Sequence, residues 1–231
     1  EAVYYSQAVL YIVATYTITK LPRLGSASDA TVSVWADLVN GVRYLRVNPI
    51  LLVLLGLGLV RVMFVMPFRT LMPAFAENTL GLDASGLGLL LSSSGMGALI
   101  SSLIICASGN LHGKGSLVLL AGVMVGAALA VFVSVPWITV TFIFVVVVGA
   151  MNNVVMVLEN TLIQTHSEAN YRGRVLSVYM MLWGLTPLGT VPAGLLADRF
   201  GVPPVIVVQG AIVIALFAAA AILRPELRRL D

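Results

Sequence analysis

Charge is what this sequence lacks most. Asp, Glu, Lys and Arg make up only 10% of its 231 residues, where a soluble domain carries about a quarter to solvate its surface. With 59% apolar residues and a mean hydropathy of +1.02, the outside must face lipid. The single cysteine, Cys106, lies in an apolar run and can form no internal disulfide. The two histidines, His112 and His166, stand in separate loops without ligand spacing, so no metal site is expected. GxSxG, P-loop and dinucleotide fingerprints are all missing, which argues against an enzyme, a cofactor and ATP-driven transport. Ten-residue strands of alternating polarity are missing too, which disfavours an outer-membrane barrel. The net charge of +3 sits in short basic clusters between apolar runs. That is the pattern of membrane-protein loops and not of a nucleic-acid surface.

What is present is a series of long apolar segments: about 49–73, 84–107, 115–134, 137–163, 174–197 and 202–223. Each reaches the roughly 20 residues that a helix needs to cross the hydrocarbon core. The separators are short, and Pro49 and Pro136 stand where a helix can begin without losing a needed N–H. Before them, residues 1–19 read as the end of a preceding span, since the chain opens with Glu1 directly inside an apolar run. Residues 20–48 read as a linker, polar over Gly25–Asp29. Within it, residues 31–47 have Val32, Trp35, Val39 and Val42 at helical spacing, with Arg43 and Arg46 largely opposite. This is either an amphipathic helix on the membrane surface or a helical linker packed on the protein. Residues 224–231 form a short tail.

If residues 1–19 end inside, the inner side receives Lys20, Arg23, Arg43, Arg46, Lys114, Arg172, Arg174, Arg224, Arg228 and Arg229, and the outer side only Arg199. So strong a positive-inside bias places the C-terminus in the cytoplasm, in a multi-pass protein of the cell (inner) membrane. Small residues recur for close packing: Gly122 with Gly126, Ser93 with Gly97 and Ser101, Ser94 with Ala98 and Ser102.

Polar residues inside spans are costly and mark candidate functional positions. In 137–163 and just beyond it, Asn152, Asn153, Glu159, Asn160 and Gln164 form one stripe, with Met156 between them. The stripe is expected to line a solvated pathway. Arg61 lies near mid-span, where an arginine costs about 2.5–3.5 kcal/mol on insertion scales. Glu159 is the available carboxylate, but it lies nearer the cytoplasmic end, so shared access to water is expected instead of a direct salt bridge. The fifth segment carries Gly184, Pro187, Gly189, Pro192 and Gly194 and should be kinked. Tyr179 and Trp183 share one face with Thr186 and Thr190 and are candidates to line the substrate cavity.

Leu71-Met-Pro-Ala-Phe-Ala-Glu-Asn-Thr-Leu-Gly81 and Gly86-Leu-Gly-Leu-Leu-Leu-Ser-Ser-Ser-Gly95-Met-Gly-Ala98 resemble the seventh-to-eighth helix region of major facilitator superfamily transporters. Tyr171-Arg-Gly-Arg-Val-Leu-Ser-Val-Tyr179 resembles their loop between helices ten and eleven. Thr186-Pro-Leu-Gly189 and Gly194-Leu-Leu-Ala-Asp-Arg-Phe-Gly201 resemble helix eleven. The branch most similar is enterobactin-exporter-like and macrolide-efflux-like. The loop Gly109-Asn-Leu-His-Gly-Lys-Gly115 only weakly echoes the family's gating motif, because its aspartate is absent.

The resemblance implies an all-α membrane protein: a six-helix transmembrane bundle of two three-helix repeats, the C-terminal half of the major facilitator fold, after the end of a preceding helix. It places Arg61 on helix seven and the polar stripe on helix ten, both of which line the family's central cavity. The expected function is secondary active efflux of a hydrophobic or amphipathic small molecule by alternating access. The partners expected are the lipid bilayer, a small-molecule substrate, and a missing N-terminal half, a second copy or another membrane subunit. The alternative is a transporter-derived structural subunit of a larger membrane assembly.

Overall fold

The computed structural model describes residues 2–20, 34–109, 111–135 and 137–231. The chain divides into two units, Glu1–Val34 and Trp35–Asp231. The first contains helix α1, Ala2–Thr19. Its Thr15 and Thr17 hydroxyls donate to the carbonyls of Tyr11 and Val13, each at 2.8 Å, so their polarity is absorbed within the helix. The expected polar stretch Gly25–Asp29, the first residues of the expected surface helix (31–33) and Pro136 lie outside the described residues.

Helix α2 spans Val34–Val47. It packs on the protein through Gly41, Tyr44 and Leu45. Leu45 is buried, and the Tyr44 ring stacks on Tyr171 at 4.4 Å and 3°. The Tyr44 hydroxyl also accepts from the Glu168 N–H at 3.2 Å. Arg43 and Arg46 of this helix are exposed.

Among the described residues, six helices are long and apolar enough to cross a membrane. The first is not uniform. It comprises α3 (Pro49–Val60), a π turn (Arg61–Val65) and α4 (Pro67–Asn78). Pro67 has no N–H for the carbonyl of Met63, four residues earlier. The ladder widens locally, and the Met66 N–H bonds instead to the Arg61 carbonyl at 3.1 Å. The apolar run read over 49–73 therefore continues to Asn78 with an interruption that hydropathy alone does not show.

The second to fourth spans are α5 (Ala84–Ala107), α6 (Lys114–Ser134) and α7 (Ile138–His166). The fifth breaks into α8 (Ala169–Gly184) and α9 (Thr186–Phe200), as its glycines and prolines predict. Pro187 leaves the Trp183 carbonyl without its helical donor, and the Thr186 hydroxyl supplies one at 2.6 Å. Helix α10, Val202–Leu223, completes the bundle. Short connections make successive spans antiparallel.

The packing follows an exchange of the first three spans with the last three. The second span packs on the fourth and the fifth on the first; the third packs on the fourth and the sixth on the first. The third and sixth pack on each other, as partners on an exchange axis must. Glycine marks the second-to-fourth, fifth-to-first and third-to-sixth contacts. A Cβ on Gly97 of α5 would lie 2.0 Å from the Val146 carbonyl of α7. Its counterpart on Gly189 of α9 would lie 2.4 Å from the carbonyl of Met63, and one on Gly126 of α6 would lie 2.6 Å from that of Gly210 of α10. Lipid supplies no hydrophobic drive for helices to associate, so backbones must approach this closely to gain dispersion and Cα–H···O contacts.

Beyond the last span, a short 3₁₀ turn, Pro225–Arg229, folds over the start of α6. Leu227 and Leu230 are buried there, and the Gly115 N–H donates to the Leu230 carbonyl at 3.1 Å. The Asp231 carboxylate accepts from the Gly113 N–H just ahead of α6. At the N-terminus of α6 that carboxylate meets the positive end of the helix dipole.

Candidate functional site

The expensive residues of the spans converge on one place. Arg61, the first residue of the π turn, is 2% exposed, and Glu159 of α7 is 0% exposed. Their Nε and Oε2 atoms are 3.8 Å apart, an ion pair without a direct hydrogen bond. The Tyr179 hydroxyl of α8 completes the link: it accepts from Arg61 Nη2 at 3.2 Å and donates to Glu159 Oε2 at 3.0 Å. The Trp183 ring, one turn further along α8, lies 5.4 Å from the guanidinium carbon, within cation–π range. First, fourth and fifth spans are thus tied at a single charged point.

This corrects the expectation of shared water without a direct pair. Counting residues along the axis separates Arg61 from Glu159, but side chains in an α-helix lean toward the helix N-terminus. The first and fourth spans are antiparallel, so Arg61 and Glu159 lean toward each other. Gly58, one turn before Arg61, leaves the room. A Cβ there would come within 3.2 Å of Tyr179 and Leu182 and 3.4 Å of Glu159 Oε1.

The polar stripe does not act as one surface. Asn152 and Glu159 are seven residues apart, as are Asn153 and Asn160, but the two pairs are offset by one residue, about 100° around the helix. Glu159 turns to α3 and α8. Asn153 turns to α5, where its amide nitrogen donates to the Ser102 hydroxyl at 2.8 Å, the Ser101 hydroxyl at 3.0 Å and the Ala98 carbonyl at 3.2 Å. Asn153 is therefore placed against a neighbouring helix, apart from Arg61. The Gln164 amide donates to the Asn160 side chain, so these two satisfy each other along α7. Asn152 and Met156 are half-buried, and the Asn152 Oδ1 has no hydrogen-bond partner.

Unfilled bonding capacity remains at the charged point as well: Arg61 Nε and Nη1 and Glu159 Oε1 are buried without hydrogen-bond partners. Ionised groups in so dry a place carry a large desolvation cost that one ion pair and one hydroxyl offset only in part. Among the described residues no group of three His, Cys, Asp or Glu could hold a metal.

Six apolar spans with exchange symmetry and a buried charge pair joining three of them form a transporter-like architecture, and sequence comparison gives it a family. The profile of the transmembrane secretion effectors, a major facilitator family, matches residues 1–231. The chain belongs to that family. Its relatives include the multidrug efflux pump Tap of Mycolicibacterium fortuitum, 27% identical over 206 residues, covering 88% of this chain and 50% of Tap. Macrolide efflux protein A of Streptococcus pyogenes is 26% identical over 222 residues, covering 94% of this chain and 54% of that protein. The chain thus spans about half the length of the curated relatives it matches.

Two polar residues of this major facilitator chain escape a reading for stripes. Thr141 and Gln209 are buried with unpartnered side-chain oxygens. Gln209 has a simple signal: it is the single polar side chain of α10. An isolated polar residue in an otherwise apolar span is as costly as one in a row, and periodicity cannot find it.

Proposed function

We propose that this chain is the C-terminal six-helix half of an efflux transporter that moves hydrophobic or amphipathic small molecules by alternating access. An N-terminal half, a second copy or another membrane subunit forms the opposite wall of the cavity. In this proposal the C-terminus is cytoplasmic and the membrane is the inner membrane, which the basic residues gathered at one end of the bundle support through the positive-inside rule. The efflux relatives support transport over a purely structural role.

The observation that carries the reading is the Arg61–Tyr179–Glu159 cluster. A buried ion pair stabilises little compared with apolar residues of the same size. Its retention inside a span therefore fits a working joint better than a rivet. Alternating access requires packed spans to shift relative to one another. With Tyr179 bonded to both charges, a shift of the fifth span changes the partners of Arg61 and Glu159 together. The unpartnered Nη1 and Oε1 atoms are then the groups that take new partners in the other state. Trp183 sits over the guanidinium within cation–π range.

The test is drug efflux from cells carrying the intact transporter, measured beside a quantitative membrane blot. Arg61→Ala and Tyr179→Phe are expected to lower flux at least about tenfold, which corresponds to about 1.4 kcal/mol of lost coupling between states. Flux is expressed per transporter in the membrane, because Arg61→Ala leaves Glu159 buried without its cation and lowers stability as well. Normal flux in both variants would make the cluster a packing feature and remove the main support for this reading.

A further inference from the structure

Helix α8 is held at two points. The side chains it buries are Val175 and Tyr179, while Gly173, Ser177, Met180 and Met181 are exposed. Tyr179, in the charged cluster, is the upper point. The lower point is its first turns, where α2 lies against it. There the Tyr44 ring stacks flat on Tyr171, and the Tyr44 hydroxyl accepts from the Glu168 N–H just ahead of α8. Gly41, one turn earlier in α2, is buried. A Cβ there would lie 3.4 Å from the Arg174 Cβ and 3.6 Å from a Val178 methyl, so α2 runs close along the base of α8.

The same α2 is joined to the first span without slack. Asn48 is the single residue between α2 and α3, and Pro49 holds it extended. Its N–H donates to the Leu45 carbonyl at 3.1 Å, its side-chain amide to the Tyr44 carbonyl at 2.9 Å, and its carbonyl accepts from the Leu52 N–H at 3.1 Å. Helix α2 therefore brackets the cytoplasmic ends of the first and fifth spans, the two whose Arg61 and Tyr179 meet deeper in the bundle. Tyr179 lies eight residues beyond Tyr171, about 12 Å along α8. At its far end α8 stops at Gly184, and Gly189 pins α9 separately against Met63, so α8 can tilt without carrying α9. A flat ring pair keeps its contact through such a tilt, which the interlocked backbones at Gly97 and Gly126 would not. We infer that Tyr44 is a positioning residue for the charged joint: through it α2 forms the pivot on which α8 tilts, so that Tyr179 swings against Arg61 and Glu159 while the base of α8 stays fixed to the first span. The inference rests on the reading of the cluster as the joint that rearranges.

Spin-label distances in the intact transporter, free of other cysteines and reconstituted in nanodiscs, test the pivot. One label goes on Leu120→Cys of α6, the other on Gly173→Cys at the base of α8 or on Met181→Cys near its top, all exposed positions. The distance distribution should be at least about twofold wider at residue 181 than at residue 173, since they lie about 15 Å and about 3 Å from Tyr171 along the helix. Tyr44→Ala should widen the distribution at residue 173 to match and lower ethidium efflux per transporter about fivefold, the weight of one aromatic pair. Tyr44→Phe keeps the ring and should recover the narrow distribution and most of the efflux. Equal widths at the two positions with Tyr44 in place would mean that α8 shifts as a whole, and would overturn the pivot. So would a narrow distribution at residue 173 in Tyr44→Ala. Normal efflux in Tyr44→Ala beside impaired efflux in Arg61→Ala would strike the pivot and leave the joint standing. Normal efflux in both Arg61→Ala and Tyr179→Phe would remove the joint and the pivot with it. The two widths with Tyr44 in place decide the matter even where a variant folds poorly.

Discussion

Helix α7 carries two polar faces, and they are built on opposite principles. On one, Glu159 meets Arg61 and Tyr179 in a charged contact that leaves three of the charged groups' polar atoms without hydrogen bonds. On the other, Asn153 meets Ser101, Ser102 and the Ala98 carbonyl in a neutral contact that is well supplied with partners. The neutral face lies where backbones touch, at Gly97 and Gly149, and is suited to holding two helices together. The charged face joins three spans at longer range and contributes little net stability, which suits a joint that must rearrange. In the proposed transporter, the satisfied amides and close backbones would hold an interface fixed, while the under-satisfied charge pair would be the contact that rearranges.

The largest effect should come from splitting the charge pair. Glu159→Leu leaves Arg61 buried without its carboxylate and should cost about 3–5 kcal/mol of stability. The double variant Arg61→Met with Glu159→Leu should recover most of that loss, because an apolar pair of similar volume removes the desolvation cost. Thermal unfolding in detergent, compared across the cycle, measures both. A double variant as unstable as the single one would show that the charges themselves hold the fold, and the contrast between the two faces would collapse.

The neutral face should break sterically before it breaks electrostatically. Gly97→Ala places a methyl group against the Val146 carbonyl and should cost about 1–3 kcal/mol. Gly95→Ala, two residues away, meets nothing within 4 Å and should be neutral or stabilising by up to about 1 kcal/mol. Melting temperatures of the pair isolate close backbone approach from helix propensity. Asn153→Ala should cost less than Gly97→Ala, about 0.6–1.7 kcal/mol, the range of interhelical hydrogen bonds in membrane proteins. Its effect on efflux should follow its effect on stability, whereas Arg61→Ala should impair efflux beyond its effect on stability.

The contrast also explains what could be read from residues alone. Lipid imposes length and apolarity, so the six spans stood out in the sequence, and Pro187 announced the break in the fifth. The π turn did not stand out, because Pro67 acts on a carbonyl four residues earlier inside an unbroken apolar run. The Arg61–Glu159 pair was misjudged because axial distance was counted and the lean of antiparallel side chains was not. Asn153 was grouped with Glu159 because a stripe wide enough to span both faces looks single on paper. The docking of α2 rests on Tyr44 meeting Tyr171, far along the chain, and nothing local encodes that pairing.

The smallest effect expected concerns α5, the helix that presents Ser101 and Ser102 to Asn153. Asp83 caps its N-terminus, and the Asp83 carboxylate accepts from the Gly86 N–H at 2.9 Å. That backbone hydrogen bond holds the carboxyl below its ordinary value of 3.8. The folded state thus binds the proton more weakly than the unfolded chain does. The cap therefore stabilises α5 fully above the unfolded value, and the stabilisation fades as pH falls from there through the lowered folded value. Asp83→Ala should lower the melting temperature slightly at neutral pH, and the gap between variant and unaltered protein should close on acidification below about pH 4. A gap that stays constant with pH would mean that the carboxylate is not the capping group. Because Asp83 lies outside the spans, the variant should leave both faces of α7 and the charged cluster unchanged. It therefore serves as the control for stability loss without loss of function: efflux by Asp83→Ala should match that of the unaltered protein.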